Sequence, residues 1–105
     1  MIAENKYKIV FCIVNAGFEE TVMEAAKEAG AKGGTILSGH GTANKDAEEK
    51  FRITVQSEKE IVMIIVKSEI KDDVLKAIYR TAGLGSPGNG IAFSLPVSGA
   101  VGLPE

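Results

Sequence analysis

The stretch Glu60-Ile61-Val62-Met63-Ile64-Ile65-Val66-Lys67 decides the fold. Six consecutive apolar residues, all but Met63 β-branched, stand between charged ones. The run is too short for a helix and far short of the roughly 20 residues that a membrane span needs. Residues apolar at successive rather than alternate positions mark a strand buried on both faces. Ile9-Val10-Phe11-Cys12-Ile13-Val14 has the same character within an expected strand Tyr7–Asn15, which Asn15-Ala16-Gly17 then breaks.

Downstream of Lys67, Ser68 is a candidate helix N-cap, and Glu69, Asp72 and Asp73 suit a first turn. Ile70, Val74, Leu75, Ile78 and Ala82 then recur at helical spacing. A loop, Gly83-Leu84-Gly85-Ser86-Pro87-Gly88-Asn89-Gly90, leads to the alternation Ile91-Phe93-Leu95-Val97. This last strand must lie at an edge or end at Pro96, which has no N–H for a ladder. Upstream, Phe18, Val22, Ala25, Ala26 and Ala29 form one stripe of a helix over Phe18–Ala29, with Gly30 at its C-terminal end. Gly33–Thr42 reads as a second strand ending in Gly39-His40-Gly41, and Ala43–Ser57 as a long, highly charged excursion.

The order is strand, helix, strand, strand, helix, strand over one domain, residues 1–105. That is the α+β, ferredoxin-like βαββαβ plan: a four-stranded antiparallel sheet with two helices on one face. The helices cover one face only, while two strands are apolar on both. An exposed apolar face of that size is an association site, so the chain is expected to oligomerise through it.

Composition narrows the function. A net charge of −2 gives no basic excess for nucleic acid or anionic lipid. One cysteine, Cys12, excludes an internal disulfide and reads as a small buried hydrophobe. The polar N-terminus carries no signal-peptide pattern, so a cytoplasmic protein, not itself membrane-embedded, is expected. His40 is the one histidine. With no nucleophile–base pair and too few soft ligands, neither an enzyme nor a metal site is expected. Asp72-Asp73 are solvated first-turn acids, since helical neighbours do not face each other.

Two readings of the Gly83–Gly90 loop stand side by side. Glycine is costly to order, so four in eight residues call for positive φ, close backbone approach, or both. One reading is a tight helix-to-strand turn. The other is a cradle of backbone N–H groups for an anion.

Lys32-Gly33-Gly34-Thr35-Ile36-Leu37, then Gly41, a charged loop, Glu60-Ile61-Val62, and Gly88-Asn89-Gly90-Ile91-Ala92-Phe93-Ser94-Leu95-Pro96-Val97 together resemble the P-II family of nitrogen-regulatory signalling proteins. The resemblance covers essentially the whole chain and is closer to divergent P-II-like members. It implies a ferredoxin-like homotrimer with adenine nucleotides in the clefts between subunits and a projecting T-loop that docks on a protein partner, a transporter or an enzyme. On this chain it places the T-loop at about Ala43–Ser57. Lys45, Lys50, Phe51, Arg52 and Ile53 would be partner-binding residues. Thr35, Gly41, Thr42, Gly85, Ser86, Gly88, Asn89 and Gly90 would line the nucleotide site.

The chain departs from the family pattern where charge matters. Ile91 stands at the position of the family's phosphate-binding lysine, and Gly102 and Pro104 at those of two arginines. Charge-assisted contacts are the strong ones, so AMP or ADP is favoured over ATP as effector, with no cofactor required. The T-loop has no tyrosine for uridylylation, and Gln56 does not match the family's metal-binding glutamine. Two other readings remain at this stage. One is a ferredoxin-like oligomer for another small ligand or a metal, as in CutA-type proteins or amino-acid-binding regulatory domains. The other is a ligand-free scaffold.

Overall fold

The computed structural model describes residues 6–42 and 57–104. Four strands and two helices follow the expected order: β1 Tyr7–Asn15, α1 Glu19–Glu28, β2 Thr35–His40, β3 Glu58–Lys67, α2 Lys71–Ala82 and β4 Ile91–Pro96. The sheet runs β2-β3-β1-β4, antiparallel throughout. The two fully apolar runs thus form the two central strands. Ile9–Val14 lies against Ile61–Ile65, with Val10 opposite Ile64 and Cys12 opposite Val62.

Alternation assigns the two faces. Val10, Cys12 and Val14 of β1 and Val62, Ile64 and Val66 of β3 are buried against the helices. They meet Val22 and Ala26 of α1 and Val74, Ile78 and Ala82 of α2, the stripes read from the sequence. Phe18, Ala29, Ile70 and Leu75 pack around this core half-buried. Cys12 is fully buried, and burial pushes its thiol up to about 11.

The other face carries Ile9, Phe11 and Ile13 of β1, Ile61, Met63 and Ile65 of β3, Leu37 of β2, and Ile91, Phe93 and Leu95 of β4. No described element covers its centre. In the single chain Ile91, Phe93 and Leu95 are 55%, 42% and 48% exposed, although Phe93 stacks on Phe11 with ring centroids 5.5 Å apart. Residues 97–104 close only the lower rim. Val97 packs with Tyr7, Ile9, Ala100 and Leu103, and the Tyr7 hydroxyl donates to the Pro104 carbonyl at 2.6 Å.

Element ends differ from the sequence reading in five elements. Helix α1 begins at Glu19, with Phe18 as its N-cap, and ends at Glu28; Gly30, at φ +112°, follows its C-cap Ala29. β2 is shorter than Gly33–Thr42 at both ends, running Thr35–His40; just before it, Gly34 lies too close to the Met63 carbonyl for any side chain. β3 starts two residues earlier than Glu60 and β4 ends one residue before Val97. Ser68 is not the N-cap of α2. A single 3₁₀ turn, Ser68–Ile70, intervenes; the cap position is Ile70, with no side-chain cap bond. Asp72 and Asp73 do occupy the first turn of α2. The Lys71 ammonium, 2.8 Å from Asp72, holds that carboxyl below its ordinary pKa. β4 is an edge strand that stops at Pro96.

Candidate functional site

The strand directions place the glycine loop and the described roots of the 43–56 segment at one end of the sheet. β1 ends there at Asn15 and β2 at His40. β3 begins there at Glu58 and β4 at Ile91. Gly41 and Ser57 face each other across the root, where the Gly41 amide donates to the Ser57 carbonyl at 2.6 Å.

Most of the loop's glycines answer to the chain's own packing. A Cβ on Gly90 would lie 2.5 Å from the Ala82 oxygen, and one on Gly83 2.7 Å from the Tyr79 carbonyl oxygen. On Gly88 it would press on Phe18 and Ala82. Gly85 is required by conformation instead, at φ +91° with open space around it, and Asn89 adopts φ +47°. Four loop amides are spent on the chain's own carbonyls: Gly83 on Tyr79, Ser86 on Gly83, Asn89 on Ser86 and Gly90 on Ala82. The Ser86 hydroxyl also donates to the Gly83 carbonyl, at 2.6 Å. The tight-turn reading therefore accounts for much of this composition. Among the described residues the amides of Gly85 and Gly88 have no backbone acceptor, which leaves a cradle smaller than the glycine count suggests.

Two residues that the sequence reading passed over connect this loop to the root of the long segment. The Lys59 ammonium donates to Asn15 Oδ1 at 2.6 Å. Asn15 Nδ2 in turn donates to the Pro87 carbonyl at 3.1 Å, and the Asn15 amide to the Gly88 carbonyl at 2.9 Å. The Lys59 stem runs past Gly41, where an added Cβ would meet Lys59 Cε at 3.0 Å. Asn15 and Lys59 are cross-strand partners, and alternation puts both on the open-face side. One ammonium therefore stands between the glycine loop and Gly41. The available signal was the register itself. Asn15 reads as a strand breaker and Lys59 as a polar flank until Tyr7–Asn15 is paired with Lys59–Lys67.

The remaining expected residues are not gathered in one chain. Gly41 and Thr42 follow β2 on one edge, while Gly85, Ser86, Gly88, Asn89 and Gly90 precede β4 on the other. Three strand spacings, roughly 14 Å, separate the edges. Thr35 lies at the opposite end of β2, about 17 Å along the strand from His40 at ~3.4 Å per residue. It is exposed on the open face opposite Met63. His40 is exposed across from Glu58. Ile91 opens β4 with its side chain on the open face, and Gly102 and Pro104 lie in the tail at the far end. Lys45, Lys50, Phe51, Arg52 and Ile53 fall outside the described residues. Among the described residues, no group of three His, Cys, Asp or Glu side chains is placed to hold a metal, and no helix is long and apolar enough to cross a membrane.

The family model of the nitrogen regulatory protein P-II matches residues 7–103, from the first residue of β1 into the tail. The chain belongs to the P-II family. Its fold is that of solved P-II structures. Arabidopsis thaliana PII bound to citrate is 26% identical, with a TM-score of 0.66 over 90% of this chain and 79% of that one. A chain from Thermus thermophilus described as a PII-like signalling protein is 20% identical, with a TM-score of 0.68 over 91% and 90% of the two chains. The B. subtilis GlnK–ATP complex is 20% identical, with a TM-score of 0.63 over 93% and 86%. No curated protein matches the chain. Membership in the P-II family bears out the resemblance read from the glycine motifs and the Leu95-Pro96-Val97 run.

Proposed function

We propose that this P-II family chain works as a homotrimeric sensor. An adenine nucleotide binds between subunits, and its occupancy is read by a protein partner through the segment around residues 43–57. The observation that carries the reading is that the glycine loop and the root of that segment, Gly41 and Ser57, stand at the same end of the sheet, with Asn15 and Lys59 between them. A ligand held there touches the base of the segment that would dock. A conformational change follows only if the ligand binds one state of that base better than the other.

The separation of Thr35 from the glycine loop supports a site shared between subunits. One chain offers the glycine loop, Gly41 and Lys59, and a neighbour offers the Thr35 end of its open face. Covering that face also removes Ile91, Phe93 and Leu95 from water, at about 25 cal/mol per Å² of apolar area. Lys59 supplies one ammonium near the loop, whereas Ile91, Gly102 and Pro104 supply none. That charge suits a mono- or diphosphate better than a triphosphate. In the docking segment, Lys45, Lys50 and Arg52 offer charge, and Phe51 and Ile53 apolar anchors, to a transporter or an enzyme. The role is regulatory rather than catalytic.

A thermal-shift screen against AMP, ADP, ATP, cyclic AMP and adenosine, with and without magnesium, tests the reading. A ligand specific for the native state at one hundred times its Kd adds about 2.7 kcal/mol. AMP or ADP is expected to raise Tm more than ATP. A flat response across the panel removes the nucleotide and leaves an assembly and docking protein.

A further inference from the structure

We infer that Asn15 is the positioning residue of this site, and that through Lys59 it couples the glycine loop to the root of the docking segment. The inference deepens the sensor reading and rests on it for the identity of the ligand.

The geometry asks more of Asn15 than an ordinary cross-strand pair does. Such a pair joins two strands through neighbouring side chains. Here one amide side chain makes two bonds in different directions, accepting from Lys59 at 2.6 Å and donating to Pro87 at 3.1 Å. The Asn15 backbone adds a third link, donating to Gly88 at 2.9 Å. The amide of the following residue, Ala16, donates to the Glu58 carbonyl at 3.1 Å. Residues 15 and 16 therefore fasten both the last turn of the glycine loop and the first residues of β3. Lys59 extends the chain of contacts to Gly41, which has no side chain to hold it off.

Asparagine suits this position for a chemical reason. Its side chain is a donor and an acceptor at once. A carboxylate would hold Lys59 but face the Pro87 carbonyl with no proton. An aliphatic residue would hold neither. An anion at the glycine loop competes with Asn15 Oδ1 for the Lys59 ammonium. When Lys59 turns to the anion, it draws on the strand entry beside Gly41 and Ser57. The equilibrium of the segment root and the occupancy of the loop are then linked through a named pair of groups, with reciprocal effects on each other.

Hydrogen–deuterium exchange on the full chain tests this, comparing wild type, Asn15→Ala, Lys59→Met and the double variant, first without ligand. Among the described residues Lys59 makes no hydrogen bond to the glycine loop, so Lys59→Met is the informative change. The coupling predicts that Lys59→Met raises exchange in peptides covering residues 83–90, as well as 39–42 and 57–60, by at least about fivefold. Asn15→Ala should do the same, and the double variant should exceed neither single one. If the effect of Lys59→Met stays within residues 13–17, 39–42 and 57–60, Asn15 is a structural tie and the inference is overturned. Additive effects in the double variant overturn it as well. ADP added to wild type forms a separate arm. Protection of both 83–90 and 57–60 supports the sensor reading. Absence of any response to ADP removes the nucleotide and leaves the coupling to be decided by the ligand-free comparison.

Discussion

The Gly90 amide donates to the Ala82 carbonyl at 2.6 Å, and a Cβ at position 90 would lie 2.5 Å from that same oxygen and 2.7 Å from Val14 Cγ1. The entry to β4 is thus pinned against the last residue of α2 and the core face of β1. Gly90→Ala cannot be accommodated without moving the helix end or breaking the bond. A loss of about 2–3 kcal/mol in urea denaturation is expected, combining overpacking and the disturbed hydrogen bond. Gly99→Ala, where a Cβ meets nothing within 4 Å, is the control and should change stability little. Equal costs at both positions would contradict the packing account of the loop.

The open face predicts the behaviour of Phe93. Its ring stacks on Phe11 yet stays 42% exposed in one chain. In Phe93→Glu the stack, worth about 0.5–1.5 kcal/mol, is lost. Under the trimeric reading, a carboxylate is also placed where a neighbouring chain would bury it. Sedimentation velocity at micromolar concentration should show wild type as a trimer and the variant as a monomer. A wild-type monomer would remove the shared site altogether.

Ile64 is fully buried at the centre of β3, opposite Val10 and beneath both helices. Ile64→Ala should cost about 2–5 kcal/mol, from lost transfer energy and the cavity left behind. Thr35→Ala, on an exposed edge, should leave stability unchanged within about 0.5 kcal/mol while weakening nucleotide binding under the sensor reading. Calorimetric titration beside the denaturation curve separates the two effects.

The tail is held by a different kind of contact. Tyr7→Phe removes the 2.6 Å bond to the Pro104 carbonyl but keeps the ring that packs on Val97 and Leu103. A stability loss of about 1 kcal/mol and faster carboxypeptidase trimming of the tail are expected. Unchanged trimming would show that the apolar contacts alone anchor it.

Cys12 gives a pH signature. Burial raises its thiol from 9.0 to about 11, so the folded chain keeps a proton that the unfolded chain loses first. The unfolded state then binds fewer protons between those values, and stability falls as pH rises through that window. Below pH 9 the contribution is constant. Alkylation by iodoacetamide at about pH 8, below the ordinary thiol pKa, should be slow in the native state and fast in urea. Fast native labelling would contradict the burial.

How much of this was legible beforehand differs from element to element. The two six-residue apolar runs announced two strands with both faces apolar; the structure makes them the central pair and leaves their second face open in the single chain. The helix stripes announced which residues meet them. Ser68 misled because its side chain and the acids after it fit a cap, while the backbone takes one 3₁₀ turn first and starts the helix at Lys71. The glycine loop was legible as a special backbone but not for its cause. Whether a glycine is demanded by a ligand or by Ala82 and Val14 depends on which atoms lie within van der Waals reach of the missing Cβ.

The chain by itself determined the element order, the apolar faces and the family, since these follow from periodicity and motif order along one dimension. Only the tertiary structure decided that Asn15 faces Lys59 and reaches Pro87, and that Thr35 lies at the far end from the glycine loop. Residues 15, 59 and 87 are remote in sequence, and strand register brings them within hydrogen-bond reach. Register is a property of the folded sheet, and a shift of one residue would send Asn15 and Lys59 to opposite faces.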